Sequence, residues 1–321
     1  MIYVARRRFT KMRRQLTRKD VSGLYVPLVT PFDTAGSIDA ASLTRLSKHL
    51  IESEGVTGLV TCARIGEGPV LSAEEQITVT EIVKSAVGER QVFGSILPAT
   101  EADAAEQIAK LAAVGADGVM VFPPLLLGWG EVPDKVKIEF FRELDRQTEL
   151  PLVLFQTPMA DYRFSVDAIR EIASLQNVIA MKEASFDMNA YELTMAGLQQ
   201  DGSDMPVLNG NDRFVALGSV LGAAGSLIGI ANLVPSSWAE LHTLSMNGQI
   251  AEALKKENAL RELQDAVFCE PILDAVSRIK LILANDGVID SDHVRRPQLG
   301  ISEEESRRVL DAYRAFVSAG K

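Results

Sequence analysis

Apolar residues in this chain come in short runs, separated by stretches in which they recur every third or fourth position. From residue 21 onward the runs lie near Leu24–Val29, Val56–Val60, Val92–Ile96, Val119–Phe122, Leu152–Phe155, Val178–Met181, Pro206–Leu208 and Ser226–Ile230. Each is apolar at successive positions, as a strand covered on both faces must be. The intervening stretches carry helix signals. Ser72-Ala-Glu-Glu75 is a capping box, and Thr100-Glu-Ala-Asp103 resembles one. Ala104, Ile108, Leu111 and Ala112 share one helical face, as do Met188, Tyr191, Met195 and Leu198. Eight alternating strand–helix units predict a (β/α)8 barrel. A doubly wound open sheet is the alternative, but no run is followed by a dinucleotide or P-loop glycine fingerprint. After the eighth run the pattern is helical only, over 236–247, 249–268, 271–285 and 302–318. The predicted organisation is a flexible extension over 1–20, a barrel over 21–235, and C-terminal helices over 236–321 packed on the barrel.

Composition narrows the class. The chain has 321 residues, 47% hydrophobic and 6% aromatic, so one large domain with an aliphatic core is expected. No apolar run approaches the ~20 residues of a membrane helix. Cys62 and Cys269 cannot make a disulfide framework, and the expected compartment is a reducing cytoplasm. His49, His242 and His293 are scattered, which argues against a zinc site or a serine–histidine triad. No cofactor is expected. The first twenty residues hold eight basic side chains and one acid, without the apolar stretch of a secretory signal. The remainder carries 25 basic and 42 acidic residues, which argues against a nucleic-acid partner.

In such a barrel the chemistry sits where the strands end. The sixth run ends as Val178-Ile-Ala-Met-Lys182-Glu183. Burying an ammonium is costly, so a lysine there is a candidate for the neutral amine that forms a Schiff base with a carbonyl. Its other reading is a side chain that reaches water or pairs with Glu183. The second run ends in Cys62-Ala-Arg64-Ile65-Gly66-Glu67, where the Arg64 guanidinium can clamp a carboxylate. Alternatively it is an exposed loop arginine paired with Glu67 or another acid. Cys62 reads as a small core residue. Trp129 reads either as a cover for the substrate or as part of a subunit contact.

These motifs are similar to those of the dihydrodipicolinate synthase/N-acetylneuraminate lyase family of Schiff-base aldolases and dehydratases. The resemblance covers about 21–315 and rests on Thr30-Pro-Phe32, Gly66-Glu67 with Leu71-Ser72, Met181-Lys182-Glu183-Ala184, Asn209-Gly210-Asn211-Asp212 and Gly222–Pro235. It implies that Lys182 is the Schiff-base lysine and that the partner is a small 2-oxo acid. It further implies a substrate site drawn from Arg64, Ile65, Gly66, Phe155, Gln156, Gly210 and Leu227, and a homotetramer or homodimer.

The departures from that family are specific. Two hydroxyl positions of its Gly-(Thr/Ser)-Thr-Gly-Glu segment are Arg64 and Ile65 here, although backbone donors such as Gly66 remain. The strand-five tyrosine that relays protons is Phe155, which has no hydroxyl. The synthases' arginine after the strand-five proline is absent from Met159-Ala-Asp161. The expected activity is therefore dehydration or retro-aldol cleavage of a 2-keto-3-deoxy sugar acid. A divergent dihydrodipicolinate synthase is the alternative, and a lapsed barrel that only binds an organic acid is a third. With Phe155 unable to relay protons, Glu183, Ser185, a water or a substrate hydroxyl are the shuttles left. Glu183 follows Lys182 directly, so on a regular strand it points to the other face; catalytic and structural readings of it both stand. Gln156 is open in the same way, as a ligand for a substrate hydroxyl or a structural amide.

Overall fold

The computed structural model describes residues 15–320 apart from Trp129 and Glu131. Eight strands, β1 Gly23–Pro27, β2 Val56–Val60, β3 Gln91–Ile96, β4 Gly118–Val121, β5 Leu152–Gln156, β6 Val178–Glu183, β7 Val207–Asn209 and β8 Gly225–Leu227, close into a barrel in chain order. All neighbouring pairs are parallel, including β1 with β8. The expected runs and the observed strands coincide to within a few residues. Between the strands lie α1 Ala40–Ile51, α2 Ala73–Val87, α3 Glu101–Ala113, α4 Asp134–Gln147, α5 Val166–Ala173, α6 Met188–Gln200 and α7 Val215–Val220. Both predicted start signals are used: Ser72 accepts from the Glu75 N–H, and Thr100 from that of Asp103.

The strands are apolar throughout because they have two apolar surroundings. Tyr25, Phe93, Met120, Val153, Leu208 and Leu227 belong to the cluster that fills the barrel interior. Their neighbours in the strands, such as Val26, Val119, Leu154 and Met181, pack outward beneath the helices.

Two expectations about the ends of the chain need correction. The helix expected over 236–247 is α8 Pro235–Met246, and with it the eighth strand has its helix. Its Trp238 and Leu241 are fully buried in the cluster that holds Leu24 and Val26 of β1, so α8 completes the ring. Among the described residues, only the helices α9 Ile250–Val267, α10 Ala275–Asn285 and α11 Glu303–Ser318 lie outside the alternation. The basic extension mostly falls outside the described residues, but its last six residues are not a free tail. Leu16 packs against the barrel interior, and Arg18 donates to the Val178 carbonyl at 3.1 Å and pairs with Asp204. The charge that reads as a solvated tail is here a cation at the start of β6.

The three extra helices are tied to the barrel by buried charge. Lys280 on α10 is fully buried and pairs with Glu67 in the loop after β2, itself 2% exposed. Lys280 also donates to the His293 carbonyl at 2.9 Å and lies 4.3 Å from the Phe32 ring centroid. Burial lowers its pKa to about 8, against the attraction of Glu67. The second Glu67 oxygen accepts the Arg295 N–H at 3.0 Å, and the Arg295 guanidinium grips Glu75 at 2.6 and 2.8 Å. Glu67 itself sits at φ 55°, a left-handed conformation that costs roughly 1–2 kcal/mol for a non-glycine residue. Gly68 follows it because a Cβ there would stand 1.8 Å from the Cys62 carbonyl oxygen.

Removing one partner of a buried pair leaves the other charge without compensation. Lys280→Met is therefore expected to destabilise the protein by about 3–5 kcal/mol in urea unfolding. Adding Glu67→Gln to Lys280→Met is expected to recover much of that loss. Equal stability of Lys280→Met and the parent would show that the pair does not hold the fold.

Candidate active site

Lys182 is the fifth residue of β6, between Phe155 of β5 and Leu208 of β7 in the strand register. Met181 packs outward, so Lys182 points into the barrel near its C-terminal end. Its Nζ lies 5.1 Å from the Phe155 ring centroid, and Phe155 leans on Phe122 with 4.4 Å between centroids. Gly210, just past β7, makes room for it: a Cβ there would come within 2.7 Å of the Lys182 Cε. Desolvation lowers the lysine pKa to about 8; the carboxylate of Asp212 opposes the shift and the charge of Arg64 adds to it. At pH 7 about one amine in ten is then neutral, against about one in three thousand for an ordinary lysine.

Asp212 is the residue the sequence reading missed. It is 4% exposed and accepts the Ile230 N–H at 2.8 Å. Burial pushes its carboxyl up to about 6, against the Ile230 hydrogen bond and the Lys182 charge. The signal lay in Asn209-Gly210-Asn211-Asp212, a polar cluster directly after an inner strand. Nothing in the sequence tells which of its side chains meets the lysine.

Arg64 stands exposed at the barrel mouth, with no hydrogen bond or ion pair to its guanidinium among the described residues. The chain around its base desolvates it enough to lower its pKa, while Glu270 pulls the other way. It does not pair with Glu67, whose carboxylate is taken by Lys280 and the Arg295 backbone. A free guanidinium close enough to Lys182 to act on its charge is placed to receive a carboxylate. Ile65 packs toward Gly229, and the Gly66 carbonyl accepts the Thr30 hydroxyl at 2.7 Å. Leu227 lies in the floor of the barrel with Tyr25 and Leu208.

Two nominated residues are not brought to the lysine. The Glu183 carboxylate faces away from the interior, accepting the Ser185 N–H at 3.1 Å and the Asn211 side-chain amide at 2.9 Å. Burial raises its pKa against those two bonds. It ties the loop after β6 to the loop after β7, because alternation on the strand turns it outward. Gln156, likewise outward, donates to the Phe164 carbonyl at 3.0 Å and accepts the Phe164 N–H at 2.9 Å. Both ends of its amide are used within the loop that follows β5. That loop also supplies an arginine: Arg163 donates to the carbonyls of Ser185 at 2.8 Å and Pro158 at 3.2 Å. Its contacts are to the loops themselves. Cys62 is buried, with its thiol pushed up to about 12 by desolvation, a core residue by environment. Trp129 lies outside the described residues.

A closed parallel barrel with an amine, a carboxylate and a free guanidinium gathered at its C-terminal mouth is the architecture of a barrel enzyme. The chain belongs to the Dihydrodipicolinate synthetase family, whose profile matches residues 20–315, and it is a lyase. It is 28% identical over 301 residues to a 4-hydroxy-tetrahydrodipicolinate synthase of Shewanella sp. (strain W3-18-1), covering 91% of this chain and 97% of that one. It is 32% identical over 248 residues to the synthase of the same name from Prochlorococcus marinus (strain MIT 9303), covering 76% and 80%. Among solved structures, a dihydrodipicolinate synthase from Aquifex aeolicus superposes with a TM-score of 0.83 at 23% identity, over 92% of this chain and 98% of that one. A monomeric dihydrodipicolinate synthase variant gives 0.85 at 23%, over 94% and 98%. Among the described residues no helix is long and apolar enough to cross a membrane, and no cluster of three or more potential metal ligands occurs.

The lowered lysine pKa sets a pH expectation. Only the neutral amine attacks a carbonyl, so borohydride trapping of pyruvate should speed up as pH rises through about 8. Asp212→Asn removes the charge that opposes the shift and should move this limb to lower pH. A limb near the ordinary lysine value would contradict the placement of Lys182. Gly210→Ala, by displacing the Lys182 side chain, is expected to cost about a hundredfold in trapping rate.

Proposed function

We propose that this lyase activates pyruvate as a Schiff base on Lys182 and condenses it with an aldehyde, as the names of its curated relatives suggest. The observation that carries the reading is the Lys182 amine, pressed against Phe155 and held near neutrality inside the barrel. The neutral amine adds to the C2 carbonyl and water leaves, giving an iminium cation. A ring face favours a nearby cation by about 0.5–2 kcal/mol, so Phe155 supports the iminium where it cannot relay a proton. The Asp212 carboxylate takes a C3 proton to give the enamine. The enamine carbon bonds to the aldehyde carbon, the aldehyde oxygen takes up a proton, and water hydrolyses the imine to free Lys182. Arg64 holds the carboxylate of the 2-oxo acid in place of the missing hydroxyls.

The sequence reading put a 2-keto-3-deoxy sugar acid first. The relatives support the condensing reading better, since they carry the synthase's name. The sugar-acid reading stands second, favoured by Phe155, Arg64 and Ile65 at positions where the synthases carry hydroxyls. Comparing turnover of pyruvate plus aspartate semialdehyde with that of a 2-keto-3-deoxy sugar acid decides between them; faster turnover of the sugar acid would reverse the order.

Lys182→Ala is expected to abolish turnover and trapping with the fold intact, and retention of more than a few percent of the parent rate would exclude the Schiff base. Arg64→Ala is expected to lower kcat/KM by about 10- to 150-fold, equivalent to about 1.5–3 kcal/mol. Arg64→Lys should recover only part, because an ammonium lacks the two-pronged fork. Asp212→Asn should still be trapped by borohydride but should lose deuterium exchange at pyruvate C3. Retained exchange would remove Asp212 from the proton step.

A further inference from the structure

Beside Arg64, on the side away from the strands, lies a crevice of about 160 Å³ between the β2 loop and the C-terminal helices. Its walls are Ile65 and Val70 from the loop, Ile272 from the turn before α10, Val276 from the start of α10, and Pro297. The remaining polar groups are spoken for: Glu67 pairs with Lys280, and Gln298 donates to the Leu273 carbonyl at 2.6 Å. Arg64 alone on this wall has an unpaired charge. A volume of roughly 150 Å³ is large enough to hold a benzene molecule. A cavity of that size and lining, with one free guanidinium at its edge, matches an amphipathic anion.

We propose that this crevice binds a small carboxylate with an apolar body about the size of a benzene ring, its carboxylate on Arg64 and its body between Val70, Ile272, Val276 and Pro297. The site goes beyond the pyruvate reaction and shares only Arg64 with it. A ligand held there meets pyruvate's carboxylate at the same guanidinium, so the two compete. A 2-oxo acid with such a body would use the crevice as a substrate, its own carboxylate standing on Arg64 in place of pyruvate's. A carboxylate without a carbonyl would use it as an inhibitor.

Calorimetric titration of the full chain with 3-phenylpropanoate and with propanoate tests the site without Schiff-base chemistry, because neither acid has a ketone. The phenyl acid is expected to bind about tenfold or more tightly. Val70→Trp, which fills the crevice, and Leu273→Glu, which places a repelling charge at its half-exposed rim, should each erase that difference at unchanged melting temperature. Arg64→Ala should weaken both acids. Equal affinity of the two acids in the parent protein, or a phenyl preference that survives both variants, overturns the proposal. Borohydride trapping by pyruvate is run on the same samples. Trapping that fails while the phenyl preference holds removes the Schiff base and keeps the crevice; trapping without the preference does the reverse. Cleavage of 4-hydroxy-4-phenyl-2-oxobutanoate to pyruvate and benzaldehyde identifies the ligand as substrate, and slowed trapping without cleavage identifies it as inhibitor.

Discussion

Glu67 and Lys280 meet in the dry seam between the barrel mouth and the C-terminal helices, and both sides of that seam take their shape from the pair. Two ions removed from water repay the loss only with good geometry and further partners. Here the partners are present: the Arg295 N–H on one carboxylate oxygen, the His293 carbonyl and the Phe32 ring at the ammonium. The pair holds the β2 loop in a turn that needs a left-handed glutamate, and it sets α10 over that loop. Arg64 is three residues before Glu67, so the same turn decides where the free guanidinium stands. The apolar crevice exists because the helices are held at this distance.

Inside the barrel the controlling term is desolvation. Lys182 and Asp212 are both pushed toward their neutral forms by burial, and each opposes the shift of the other. The result is an amine and a carboxyl with values of about 8 and about 6, on either side of neutral pH. Groups poised there are suited to proton exchange. Where the wider family uses hydroxyls, this chain places a phenyl ring and a guanidinium. The phenyl ring lowers the local polarity around the lysine, and the guanidinium stands exposed at the mouth.

The residues brought to the lysine come from separate strands. Phe155 closes β5, Lys182 stands near the end of β6, and Gly210 and Asp212 follow β7. The outward-facing residues beside them, Gln156, Glu183 and Asn211, form the hydrogen bonds that set the loops. Inner and outer residues alternate along the same few positions, so neighbours in sequence divide between chemistry and support.

That alternation marks the limit of what can be read from the chain alone. The number of strands, the helices between them and the lysine at a strand end follow from local patterns: periodicity, caps, and a charged residue closing an apolar run. Such features depend on a few neighbouring residues and on what covers them, so they are legible in one dimension. Which face Glu183 and Gln156 take, that Asp212 lies near enough to Lys182 to act on its charge, that Lys280 answers Glu67 across some two hundred residues, and that Arg64 has no partner among the described residues are of another kind. They depend on barrel closure and on the seating of α9 to α11, and a linear pattern carries neither. A contact energy between residues far apart in sequence exists only once the chain has closed, and pairing and burial, not residue type, then decide which charges are free to act.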